Sequence, residues 1–124
     1  MSFKLALEQK QTQLSATQDR AEFFRNAWVE RLRPIHAELT ASGVDAVMDE
    51  NGASIYVADT GNCIRFNPEV NSMVDWEYSL RRDDPFEYYD AANDRRIRGW
   101  ATLERLYAEI AHEISYIRAR TQNR

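Results

Sequence analysis

Apolar residues recur at helical spacing from Phe3 to Leu39. Leu7, Leu14, Ala21, Phe24, Trp28, Leu32, Ile35 and Leu39 form one stripe in steps of three, four or seven, as an amphipathic helix requires. The stripe is not uniform. EQKQTQLSATQDR is polar on nearly every side except at Leu14 and Ala16, too little apolar surface for a core to hold it along its whole length. As one helix, residues 3 to 33 would be about 46 Å long, whereas a domain of this size has a radius of gyration of roughly 14 Å. Either the helix breaks near Ser15, where Ser-Ala-Thr-Gln reads as a capping box, or its first half pairs with another chain. The pattern favours the second, with residues 1–20 an extended arm used in self-association. Pro34 lacks an amide hydrogen and crowds the carbonyl four residues back, so a kink or break is expected near it. The segment is expected to end at Ser42-Gly43.

After Gly43 the period changes. VDAVMDE, ASIYVA and NCIRFN are short β-branched or aromatic runs, separated by Asn51-Gly52, a strong hairpin signal with positive φ expected in the turn, and by Asp59-Thr60-Gly61-Asn62, with Gly61 the expected left-handed position. Three antiparallel strands follow from this. Val74, Trp76, Tyr78 and Leu80 alternate with Asp75, Glu77 and Ser79, predicting a fourth strand from about Ser72 to Arg81.

Asp84-Pro85 suggests a short helical turn over Phe86 to Ala92. Trp100, Leu103, Tyr107, Ile110, Ile114 and Ile117 then form the seam of a long C-terminal helix. The expected architecture is one α+β domain spanning 1–124. It has a long N-terminal helix kinked or broken near Pro34, an antiparallel meander of three to four strands, and a long C-terminal helix packed on the sheet.

The composition, 44% hydrophobic and 29% charged, is that of an ordinary soluble domain. No apolar run reaches the roughly 20 residues of a membrane span, and the N-terminus turns polar too early for a signal peptide, so a cytoplasmic protein is expected. Cys63 is the only cysteine, which excludes an intrachain disulfide and thiolate metal clusters. Net charge is −4, yet fourteen of the sixteen basic residues are arginine and the two lysines are Lys4 and Lys10. Arginine offers a planar fork for phosphate or carboxylate and a face that stacks on rings.

Asp59-Thr60-Gly61, preceded by apolar residues, resembles the catalytic loop of aspartic proteases. That resemblance covers little else: the apolar-apolar-Gly element downstream is missing, and the long helical patterns have no counterpart in an all-β protease. The triplet is read as a turn between two strands. Ala111-His112-Glu113 resembles the start of a zinc-protease helix, but Tyr116 stands where the second histidine belongs. Asp83, Asp84, Glu87, Asp90 and Asp94 read better as a solvated helix start than as a metal site. No catalytic set is supported, so the protein is expected to be a non-enzyme without metal or other cofactor.

What remains is binding. Tyr78, Arg81 and Arg82, then Tyr88, Tyr89, Arg95, Arg96 and Arg98, concentrate arginines and rings in one region. Single-stranded nucleic acid needs those types, a basic track for phosphates and rings on which bases stack. These eight residues are the candidate nucleic-acid-binding set, in a homo-oligomeric accessory protein of a nucleic-acid-processing machine. The alternative is a protein–protein interaction module or inhibitor, of the kind phage and mobile elements encode. It would use the helical stripe and the Tyr, Trp and Arg surface.

Overall fold

The computed structural model describes residues 2–66 and 78–122. In chain order the elements are α1 (Phe3–Ala41), β1 (Ala46–Asp49), β2 (Ser54–Val57), β3 (Asn62–Phe66), β4 (Phe86–Asp90), β5 (Arg95–Ala101) and α2 (Leu103–Gln122). The strands form one antiparallel sheet in the order β1-β2-β3-β4-β5. Both helices pack on one face, α1 over β1 and β2 and α2 over β4 and β5, and the α+β class read from the sequence is the one observed.

Between sheet and helices lies a core that includes Leu32, Ile35 and Leu39 of α1, Ile55, Ile64 and Phe66 of the sheet, and Leu106 and Ile110 of α2. Leu32, Ile55, Ile64 and Leu106 have no exposed surface; each such burial stabilises the fold by about 2 kcal/mol before entropy is counted. Trp28 extends this core by stacking on Phe66 at 4.4 Å between ring centroids.

α1 is one helix of 39 residues, about 58 Å long at 1.5 Å per residue. It continues through Pro34, whose ring deprives the Glu30 carbonyl of its helical partner; both residues lie on the exposed side of the helix. Nor is there a break at Ser15. Ser2 caps the start by accepting the Leu5 amide hydrogen at 3.2 Å. At the other end Gly43, at φ 81°, lets the Val44 amide return to the Leu39 carbonyl, the hydrogen bond of a Schellman cap.

Two turns carry the first three strands. Between β1 and β2 the left-handed residue is Ala53, at φ 47°, rather than Asn51 or Gly52. The Asp49 side chain accepts the Gly52 amide hydrogen at 3.1 Å, giving a four-residue loop instead of the expected two-residue turn. Between β2 and β3, Gly61 takes φ 77° as expected.

Three other expectations need correction. Of the strand expected over 72–81, residues 72–77 lie outside those described, and 78–81 form a helical turn. Its polarity is the reverse of the alternation: Tyr78 is exposed and Ser79 buried. Arg31 decides this, since its guanidinium donates to the carbonyls of Ser79, Leu80 and Arg82, sharing the first with the Arg82 amide and supplying a donor at the end of a helical turn, where carbonyls lack one. Phe86 to Ala92 is not a helical turn but strand β4 and the start of a loop. Phe86 and Tyr88 face the core while Glu87 points the other way. The entry to the closing helix is strand β5, followed by α2, whose first turn is capped by Thr102 accepting the Arg105 amide hydrogen. Trp100 therefore belongs to the sheet, and the buried seam of α2 is Leu106, Ile110 and Ile114.

Candidate interaction surfaces

The face of the sheet away from the helices is built by strand alternation. Ile55, Val57, Ile64 and Tyr88 point into the core, so the residues between them point outward. Strand register aligns Val47, Tyr56, Cys63, Tyr89 and Arg96 in one row across all five strands, with Arg65 and Glu87 paired in the next row. Val47 and Tyr56 are exposed. The Arg65 guanidinium lies 3.7 Å from the centroid of the Tyr89 ring. Glu87, 1% exposed, accepts from Arg65 Nε and Arg96 Nε at 2.6 Å each. One buried carboxylate thus organises two cations. Burial pushes the Cys63 thiol above its usual pKa, with Glu87 adding to the effect and Arg65 opposing it, so the thiol is a poor nucleophile.

Only part of the eight-residue set gathers on this face. Tyr89 and Arg96 belong to it; the Tyr89 hydroxyl donates to Asp94. Tyr88, with no exposed surface, is unavailable for stacking. Its hydroxyl lies 2.8 Å from Thr60 Oγ1, while the Glu113 carboxylate accepts from Tyr88 at 3.4 Å and from Asn62 at 2.8 Å. Burial raises the Tyr88 pKa to about 12 and also lifts that of Glu113. Arg95 is exposed and lies 3.9 Å from Asp90. Arg98 grips Glu109 of α2 with Nε at 2.9 Å and Nη2 at 2.5 Å. At the other end of the sheet Arg82 donates to Asp84 at 2.9 Å and lies 4.3 Å from the Trp100 ring centroid, with Tyr78 exposed beside it. Arg81 is exposed at the same end. Arg82, Arg95, Arg96 and Arg98 therefore each have a carboxylate partner, which lowers the potential they offer to phosphate.

Tyr56 and Arg65 lie outside the arginine-dense region after residue 77 that the sequence singles out. Their signal is in ASIYVA and NCIRF, where alternation around Ile55 and Ile64 places both side chains outward.

The second surface is the N-terminal half of α1. From residue 2 to residue 23 every side chain is exposed or half-buried, and the first buried one is Phe24. Phe3 is 82% exposed, Leu14 61% and Phe23 67%. An isolated helix of this length is marginal in water, and this arm has little of its own domain to lean on.

Asp59 and His36 have structural partners. The Asp59 carboxylate accepts the Asp45 amide hydrogen at 3.0 Å, tying the loop after β2 to the start of β1. His36 Nε2 lies 2.9 Å from the Ala46 carbonyl, and His112 is exposed on α2. Among the described residues, no three His, Cys, Asp or Glu side chains are placed to hold a metal ion. No described helix is long and apolar enough to cross a membrane. Comparison of the chain with protein-family models, curated proteins and solved structures finds no match.

Proposed function

We propose that this chain is a non-enzymatic protein–protein interaction module whose docking element is the arm of α1. The observation that carries this reading is the exposure of an apolar stripe, Phe3, Leu7 and Leu14, on a helix that runs about 30 Å beyond its own core. Apolar side chains presented along one helix are the usual anchors of helix recognition. The test is chemical crosslinking in cells producing either the full chain or one lacking residues 2–20. The reading expects crosslinked species, to a second copy or to another protein, that vanish with the arm. An unchanged set of species in the truncated chain would sink it.

A second reading, binding of single-stranded nucleic acid, is supported by the outer sheet row, where Tyr56 is exposed and Arg65 stacks on Tyr89 beside Arg96. It predicts salt-dependent binding of a labelled single strand that weakens when Arg95 and Arg96 are both replaced by alanine. Tyr56→Ala removes a stacking face worth about 1 to 3 kcal/mol. Absence of any shift at low salt eliminates it.

A further inference from the structure

We infer that the arm of α1 pairs with the arm of a second copy of this chain, antiparallel and centred on Leu14. The inference rests on the reading of the arm as a docking element and names its occupant. At 100° per residue, Phe3, Leu7, Leu14, Ala21 and Arg25 fall within about 20° of one line along the helix. The same line continues into buried Leu32. The stripe that seats α1 on its sheet thus runs on past the domain with nothing of the described chain against its first part.

An antiparallel partner makes this stripe self-complementary. Leu14 meets Leu14 at the two-fold axis, and Leu7, 45% exposed, meets the small Ala21 of the second copy. Phe3 meets Arg25, a ring opposite a guanidinium, as occurs within this chain at Arg65 and Tyr89. Lys4 and Glu22 lie on the same flank at about 80° from the stripe, on opposite sides of Leu14 along the axis. In the antiparallel pair Lys4 of one copy therefore comes within about 3 Å, measured along the axis, of Glu22 of the other, and the contact occurs twice. The parallel arrangement keeps only the Leu14 contact. It sets Lys10 against Lys10 near the middle of the contact and Arg25 against Arg25 at its end, and like charges so placed repel. A two-fold pair is also the commonest closed assembly, each patch facing its own copy.

Light scattering and disulfide trapping test the arrangement. Wild-type protein is expected at twice the monomer mass at micromolar concentration, and Leu14→Asp at the monomer mass with an unchanged circular dichroism signal from the sheet domain. Lys4→Glu and Glu22→Lys are each expected to weaken the dimer at least several-fold at low salt, and the double variant to restore it. In a Cys63→Ser background, Leu7→Cys mixed with Ala21→Cys is expected to give a mixed disulfide, with little homodimer from either alone. A monomeric wild type, or homodimeric disulfides from each single variant, overturns the inference. Arm-dependent crosslinks to some other protein alongside a monomeric wild type would overturn it while leaving the docking reading intact.

Discussion

The Glu87 and Arg96 side chains meet diagonally between β4 and β5, Oε1 to Nε at 2.6 Å, with the carboxylate buried and the guanidinium 40% exposed. Arg65 grips the other carboxylate oxygen at the same distance. A charge that deep is tolerated because both of its oxygens are satisfied. Removing it takes from both guanidiniums the carboxylate they share.

Glu87→Gln is therefore expected to destabilise the protein by about 2 kcal/mol, less than a fully buried pair because both guanidiniums reach solvent. Chemical denaturation reads the change as a lower midpoint at constant slope. Adding Arg96→Ala to the variant should cost less than the two single changes together, since the residues share one network.

Arg31 holds the turn at 78–81 through three carbonyls, the Arg82 oxygen lying 2.5 Å from Nη2. Burial lowers its pKa, opposed by the charge of Asp83. Arg31→Ala is expected to lose about 2 to 3 kcal/mol of stability. Arg31→Lys recovers little of it, because an ammonium cannot reach all three acceptors as the planar fork does. Amide exchange at Leu80 and Arg82, compared with that in β2, distinguishes local release of the turn from global weakening.

The Glu113 carboxyl titrates above its ordinary value of 4.5, chiefly because of burial. Its folded state then holds the proton more tightly than the unfolded state, so its contribution is present below pH 4.5 and is lost as pH rises through the folded value. Glu113→Gln should flatten stability against pH in the window just above 4.5. Tyr88 behaves alike at the alkaline end: raised from 10.0 to about 12, it weakens the fold as pH rises through that interval, and Tyr88→Phe removes this titration from the stability curve.

Gly61 turns the chain between β2 and β3 at φ 77°, with open space where a Cβ would stand. Gly61→Ala should thus cost about 1 kcal/mol from backbone conformation alone, and Gly61→Asn less, a ranking that thermal unfolding can read.

How much was legible depended on whether the signal was local. The long first helix, its end at Gly43, the first three strands and the turn at Gly61 all rest on periodicity or on residues with unusual backbone freedom. β4 and β5 are not legible in the sequence because their outward positions read as charge. Glu87 looks like a solvated acid in the sequence, and only the approach of Arg65 from the neighbouring strand buries it. The loop Ala91-Ala92-Asn93-Asp94 contains no glycine, and its left-handed residue is Asp94 at φ 47°, held beside an Asp90 carboxylate that accepts from Asn93 at 2.7 Å. The helical seam begins two turns later than Trp100 because Trp100, at φ 49°, lies in β5 under the Arg82 guanidinium.

The chain by itself determined that two amphipathic helices and a meander would form, and that one helix would outrun its domain, because hydrophobic period and turn chemistry act between residues close in sequence. Tertiary structure alone decided which arginines answer to which acids, that Tyr88 is core while Tyr56 faces outward, and that the segment before Asp84 ends in a helical turn. Those outcomes depend on strands and helices far apart in sequence meeting in space, where burial and pairing reset the energy of each charged or polar group.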